Sequence, residues 1–304
     1  LLVRDNNQAK ATVDFALHDL KGKLYGVPVY DLLGGRTTEG SRQGWVLSAG
    51  KPEDVAAEAK KAKDIGFGLF KMKIGYGSLQ DDIDMVHAVR ETVGPDAMLT
   101  IDANGFWNYE KALHVIRRID SAGLDLIEQP LPHWDIEGMA RLRAQVKTPI
   151  YADESAQELH HIKEIIDRRS SDGLFLKLQK AGGLVKAQRW LTMARLAGLQ
   201  VHCGCMIGSG LEHSPAAHLW VANEWASQGL NESIGPLMIH GTMESKNIQA
   251  GTDIALNIPR FEGGMCYPNE GPGFGIDLNE KFLITNKTKG VEGRSIEAGQ
   301  EVAA

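Results

Sequence analysis

Three carboxylates stand directly behind short apolar runs in this sequence. Asp102 follows Leu99-Thr100-Ile101, Glu128 follows Asp125-Leu126-Ile127, and Asp153 follows Ile150-Tyr151-Ala152. One acid in such a place is as readily the cap of the next helix. Three of them at spacings of 26 and 25 residues are better explained as acids gathered on one rim. There they repel one another unless a cation lies among them. Hard oxygen ligands suit Mg²⁺, which keeps positions open for water and substrate oxygens. Lysines accompany the acids. Lys71 and Lys73 are two apart, so on a strand they point to the same side. Two ammonium groups held close disfavour charging, which lowers the pKa and makes one of them usable as a base. Lys177 interrupts the apolar run Leu174-Phe175-Leu176-Lys177-Leu178. A lysine taken alone usually snorkels at the surface, but these three flank the acids.

The elements that must position these groups alternate. Short apolar runs suited to strands lie at 44–47, 69–74, 98–101, 124–127, 149–152, Gly173–Leu176, 199–201 and 229–233. Amphipathic spacing predicts helices at Pro52–Ile65, Leu79–Val93, Tyr109–Ile119, 136–146, Leu159–Arg168, Leu184–Leu196 and 211–225. Repeated strand–helix units imply parallel strands, and eight of them favour an α/β fold closed into a (β/α)₈, TIM-like barrel. An open doubly wound sheet is the alternative, weakened by the absence of GxGxxG after the first strand. In a barrel, catalytic groups occupy the C-terminal ends of the strands. Lys71, Lys73, Asp102, Glu128, Asp153 and Lys177 all fall there, and Glu232 lies near the eighth end. Before the first unit, 11–33 reads as a helix and a turn with no strand ahead of it. Beyond Pro236 the pattern is irregular, strand-like at 254–258 and polar from about 286.

Composition narrows the function. Lys and Arg number 33 against 39 Asp and Glu, and no basic block offers a footprint for nucleic acid. No apolar run is long enough to span a membrane, and the first residues lack a signal-peptide pattern. Three cysteines are too few for a disulfide framework, which leads us to expect a cytoplasmic enzyme. His202-Cys203-Gly204-Cys205 lacks the partners of a zinc site and reads as packing or pocket lining. His160-His161 reads as an exposed helix start. Gly208-Ser209-Gly210 before a helix reads as a turn in preference to an anion site. Trp45 and Met206 to Ser209 are candidates for the pocket wall or the core. Ser155 and Ser209 fit no hydrolase pattern.

The motifs Lys71-x-Lys73, Asp102-x-Asn104, Ile127-Glu128-Gln129-Pro130, Ala152-Asp153-Glu154-Ser155 and Lys177-x-x-Lys180-Ala-Gly-Gly183 together resemble the enolase superfamily. More narrowly they resemble its muconate-lactonizing-enzyme subgroup, within the mandelate racemase/muconate lactonizing enzyme family. Glu232-Ser-Ile-Gly235-Pro236-Leu237 is similar to that subgroup's eighth-strand region. Ala11-Thr-Val-Asp14-Phe-Ala-Leu-His-Asp19-Leu-Lys-Gly22 is similar to the helix that joins its capping domain to the barrel. The resemblance runs from about residue 9 to residue 280. It implies Asp102, Glu128 and Asp153 as Mg²⁺ ligands (Mn²⁺ as a substitute), Lys73 and Lys177 as acid/bases on opposite faces, and Lys71 tuning Lys73. Asn104, Glu154 and Glu232 would shape the substrate site.

The implied division is 1–35 for the last capping-domain helix and linker, 36–240 for the barrel, 241–285 for a segment returning towards the cap, and 286–304 for a polar tail. The rest of the N-terminal α+β capping domain is expected to be largely absent from this chain. The implied activity is abstraction of a proton α to a carboxylate, with the cation stabilising the enediolate. Cycloisomerisation and racemisation or epimerisation come first. Dehydration of a hydroxyproline-like or sugar acid on the same site is the alternative, as is a non-catalytic barrel. The expected partners are a small carboxylate substrate and further copies of the chain in a symmetric homo-oligomer.

Overall fold

The computed structural model describes residues 4–227, 229 and 231–286. Ten strands are defined among them: β1 (Ser41–Arg42), β2 (Trp45–Leu47), β3 (Leu69–Lys73), β4 (Met98–Asp102), β5 (Leu126–Glu128), β6 (Ile150–Ala152), β7 (Gly173–Leu176), β8 (Gln200–Cys203), β9 (Arg260–Glu262) and β10 (Met265–Tyr267). Strands β2 to β8 form one parallel sheet in sequence order, each joined to the next through a helix packed on its outer face. The eighth strand expected at 229–233 is reduced to Asn231, whose backbone bridges both Gln43 and Cys203. Gly44 N–H donates to the Asn231 carbonyl at 2.6 Å, and Glu232 N–H donates to the Cys203 carbonyl at 2.7 Å. These bonds close the curled sheet into a TIM-like barrel. The pairing goes no further because Ser233 N–H turns to the Gln43 side chain at 2.9 Å.

Alternation along each strand decides which side chains face inward. In β3, Phe70 and Met72 pack outward against the helices, whereas Leu69, Lys71 and Lys73 face the axis. Leu69, Leu126, Tyr151 and Phe175 form the apolar plug of the interior. The register then sets Lys73 beside Asp102 and Asp102 beside Glu128, one level above that plug.

The helices end where their sequences say they should. Leu79–Val93 starts on a Ser78 hydroxyl that accepts from Asp81 N–H, and Tyr109–Ile119 starts on Asn108 in the same way. Pro52 opens Pro52–Ile65, and Gly66 ends it in the left-handed conformation. The helix expected over 136–146 stops at Arg143, and the one expected over 211–225 splits into Gly210–Val221 and Glu224–Ser227.

Two regions depart from the sequence reading. The strand expected at 254–258 makes one bridge only, from Ala255 to Leu278, because the Asp253 carboxylate folds back onto Ala255 N–H at 2.9 Å. Conversely, β9 and β10 form an antiparallel hairpin that also pairs with β1. It sits against the N-terminal ends of β2 and β3, with Gln43 N–H donating to the Gly264 carbonyl at 2.8 Å. The segment 11–33 is a helix, Asn7–Tyr25, followed by the short turn of helix Val29–Leu32. Of the polar tail expected over 286–304, only Asn286 is among the described residues. No described helix is long and apolar enough to cross a membrane.

Candidate active site

At the C-terminal end of the barrel, acids and lysines from five strands interlock. Lys71 is buried at the centre. Its ammonium contacts Glu128, lies 2.6 Å from Glu232 Oε2 and 3.6 Å from Asp102 Oδ2, and stands 4.4 Å over the Phe175 ring. Lys73 donates to Asp102 Oδ2 at 2.5 Å and to Asn104 Oδ1 at 3.1 Å. Across the barrel, Lys177 is ion-paired with Asp153 Oδ2, and Lys180 donates to Asp153 Oδ1 at 2.5 Å. Asn104 links the two sides, its amide donating to Asp102 Oδ2 at 3.2 Å and to Glu154 Oε1 at 2.9 Å. The structure therefore brings Lys71, Lys73, Asp102, Asn104, Glu128, Asp153, Glu154, Lys177 and Glu232 into one cluster.

The loops that carry these groups are themselves fixed. Gln129, held at a φ of 35°, accepts from Asp153 N–H at 2.9 Å and from Ser155 N–H at 3.1 Å. Those two bonds aim the Asp153-Glu154 turn. Lys180 is a site residue that motif reading quoted without giving it a role. Besides Asp153 it donates to the carbonyls of Asp153 at 2.6 Å and Phe175 at 2.8 Å, so it fastens the turn that presents Lys177. The signal was the spacing Lys177-x-x-Lys180, which brings both lysines to one acid when a helical turn follows the strand.

Electrostatics in the cluster follow from burial and pairing. Burial pushes Asp102 up, but Lys71 and Lys73 outweigh it and hold the carboxyl below its ordinary range. Burial likewise works against the charge on Asp153, and Lys180 with Lys177 overcomes it. Glu128 goes the other way: burial and then repulsion from Asp102 raise it well above the usual carboxylate range. Mutual repulsion of Lys71 and Lys73 was expected to lower a lysine. At Lys71 the outcome is opposite, because burial is outweighed by the charges of Glu128, Glu232 and Asp102, which raise it.

The fit of this donor set to a hard cation rests on Glu128. Its Oε1 is buried and has no hydrogen-bond partner among the described residues, on a side chain whose neighbours Asp102 and Asp153 are both anionic. Among the described residues no three acids, histidines or cysteines stand in the arrangement of a metal shell; Asp102, Glu128 and Asp153 are each turned to a lysine. The chemistry of the donors fits a divalent ion of the Mg²⁺ kind, with Asp102, Glu128 and Asp153 as the residues that would hold it.

A cavity of about 320 Å³ opens onto the cluster and is lined by Lys71, Lys73, Lys177 and Glu232 together with Val46, Tyr76, Ile207 and Met238. Of the residues left between wall and core, Trp45 belongs to the core and bonds Glu58 at 2.6 Å, whereas Ile207 lines the cavity. Cys205 lines it too, while Cys203 is buried. The helix start at Gly210 already holds an anion, the Asp253 carboxylate at 3.2 Å from Gly210 N–H.

Comparison with known proteins places this geometry. Residues 54–282 match the model of the enolase C-terminal domain-like family, and residues 2–34 match the mandelate racemase/muconate lactonizing enzyme N-terminal domain. A mandelate racemase/muconate lactonizing family protein from Azoarcus sp. EbN1 superposes with a TM-score of 0.92 at 60% identity, covering 95% of this chain and 76% of that one. An N-succinyl-L-Arg/Lys racemase from Bacillus cereus is 32% identical over 90% of this chain and 70% of its own length. Muconate cycloisomerase 1 from Acinetobacter baylyi is 31% identical over 92% of this chain and 73% of its own. Racemases and cycloisomerases are both isomerases.

Proposed function

The chain belongs to the mandelate racemase/muconate lactonizing enzyme family of the enolase superfamily and shares its relatives' isomerase class, and from that premise we propose that it moves a proton at the carbon next to a substrate carboxylate. The observation that carries this reading is that Lys73 and Lys177, held by different carboxylates, line one cavity. They project from β3 and from the end of β7, four strands apart in a barrel of eight positions, so a substrate between them meets one amine on each face. Lys73 takes or returns the proton on one side and Lys177 on the other. Use of both inverts a stereocentre, as in racemisation or epimerisation; ring closure in a cycloisomerisation needs only one.

Asp102, Glu128 and Asp153 would hold Mg²⁺. When bound, such an ion supplies positive charge against the negative charge that builds on the substrate carboxylate as the proton leaves. The remaining residues prepare the bases. Burial by itself favours the neutral amine of Lys177, and the Asp153 carboxylate is what keeps the proton on it. Asp153 turning away frees the base. Lys71 keeps Glu128 and Glu232 in place, and Asn104 couples the positions of Lys73 and Glu154.

The test is α-proton exchange followed by NMR in D₂O with Mg²⁺, across N-acyl amino acids, dipeptides, hydroxyprolines and muconates. We expect exchange with at least one class, and loss of turnover in Lys73→Ala and in Lys177→Ala with the fold intact. Full activity in both variants would overturn the assignment of the bases.

A further inference from the structure

Lys73 is aimed by two acceptors. Its ammonium donates to Asp102 Oδ2 at 2.5 Å and to Asn104 Oδ1 at 3.1 Å. Asp102 is a shared anchor. It also accepts from the Asn104 backbone N–H at 2.8 Å and from the Asn104 amide at 3.2 Å, and it belongs to the donor set that would hold a cation. Asn104 Oδ1 lies outside that set. How firmly Lys73 is placed therefore turns on how firmly the Asn104 amide is held.

A second donor reaches the same oxygen. Tyr76 Oη lies 3.0 Å from Asn104 Oδ1. An amide oxygen only accepts, so the phenol must donate. The other end of the amide donates to Glu154 Oε1 at 2.9 Å. With carboxylates at its nitrogen and two donors at its oxygen, the amide has one orientation. Tyr76 is itself built into place. β3 ends at Lys73, and Gly75 turns the chain with a φ of 96°, in the region that favours glycine. Gly75 N–H donates to Oδ2 of the buried Asp82 at 3.0 Å. The Tyr76 ring then packs edge-on against Phe106, with centroids 5.1 Å apart. Phe106 stands in the turn after β4 that also carries Asn104, so the two strand-end turns brace each other.

We propose that Tyr76 is a positioning residue for Lys73: its hydroxyl fixes Asn104 Oδ1 and, through that oxygen, the lysine ammonium. The proposal rests on the reading of Lys73 as one of two bases, and adds to it the residue that aims it. Lys177 is held by Asp153 on the other side of the barrel and serves as the internal reference.

Two variants and two readouts test it. Tyr76→Phe removes the hydroxyl and keeps the ring, whereas Tyr76→Ala removes both. Tyr76 is exposed, so the melting temperature of Tyr76→Phe is expected to stay within about 2 °C of the parent. The first readout needs no substrate: brief acetylation by acetic anhydride at one fixed pH, with Lys73 and Lys177 quantified by peptide mass spectrometry. Both variants are expected to raise the ratio of Lys73 to Lys177 labelling at least about threefold, the scale of one lost hydrogen bond. The second readout is turnover of whichever acid shows α-proton exchange. For Tyr76→Phe, kcat is expected to fall roughly tenfold, below the full cost of moving a catalytic group by about 1 Å, with KM nearly unchanged. An unchanged labelling ratio in Tyr76→Phe overturns the proposal. So does a Tyr76→Phe that matches the parent where Tyr76→Ala does not, which would leave only the packing of the ring. If the ratio moves while no acid exchanges, the positioning of Lys73 stands and it is the proton-transfer reading that fails.

Discussion

At the scale of single residues, the proposed use of Lys73 and Lys177 as bases requires both to be held in place, and the neighbour that leaves room for Lys177 is a glycine. A Cβ at Gly204 would stand 2.9 Å from Lys177 Cε. The atom it meets is the far end of a flexible side chain, so the fold can absorb the collision by moving the lysine. Gly204→Ala is therefore expected to leave the melting temperature nearly unchanged while lowering kcat by roughly 10- to 100-fold, the scale of a catalytic group displaced by about 1 Å. Thermal melts and steady-state kinetics on one preparation check both halves, and a large loss of stability without loss of kcat would contradict it. Glu128 makes a separate case. Its Oε1, like Glu154 Oε2 and Glu232 Oε1, is a buried carboxylate oxygen without a hydrogen-bond partner among the described residues, and Glu128→Gln replaces one of its two oxygens by an amide that cannot ligate a cation. We expect Mg²⁺ affinity to fall at least about tenfold by calorimetry; unchanged affinity would take Glu128 out of the metal shell.

At the scale of elements, the strand ends were legible in the sequence and the long-range fastenings were not. An apolar run that stops at an acid or a lysine identifies its strand and the end that matters. That pattern located Lys73, Asp102 and Glu128 at the last positions of three strands and Asp153 and Lys177 directly after two more. The hairpin of β9 and β10 had a signal that went unread: Gly263-Gly264 separates Arg-Phe-Glu from Met-Cys-Tyr, and both glycines have positive φ, 56° and 73°, as a two-residue hairpin turn requires. The eighth strand read too long because its apolar pattern does not reveal that Gln43 captures Ser233.

No local pattern shows that helix Asn7–Tyr25 is tied to the turn that follows Lys177. Asp14 accepts from Leu184 N–H at 2.6 Å, and Asn7 donates to the Lys180 carbonyl at 2.9 Å. Removing the charged acceptor at Asp14 leaves the start of helix Leu184–Leu196 uncapped. Asp14→Ala is expected to lose roughly 1–3 kcal/mol of stability and to lower kcat through the Lys177–Gly183 turn, whereas Asp14→Asn, which keeps an acceptor, should recover most of both. Equal losses in the two variants would show that the hydrogen bond is not what matters.

At the scale of the whole molecule, the N-terminal segment, the barrel and the C-terminal segment meet at one buried histidine. His218 Nδ1 accepts from Tyr30 N–H at 3.2 Å, and its Nε2 faces the Phe274 carbonyl at 3.4 Å. The ring stacks on Tyr30 at 5.2 Å. An imidazole that accepts at Nδ1 and donates from Nε2 is neutral. Burial is the chief reason its pKa is pushed down to about 4, against about 6.5 in an unfolded chain. The direction of the pH effect follows from that depression. Above about 6.5 neither state is protonated, so the contribution is fully present there. Below it the unfolded chain takes up a proton that the folded chain refuses, and stability falls until the folded histidine also titrates near 4. The shift corresponds to roughly 3 kcal/mol across that window. His218→Gln, which keeps an acceptor and a donor but cannot titrate in this range, is expected to be somewhat less stable at pH 7.5 and to show a flatter decline in denaturant midpoint between pH 6.5 and pH 4. If parent and variant lose stability in parallel through that window, the acid sensitivity belongs to other groups.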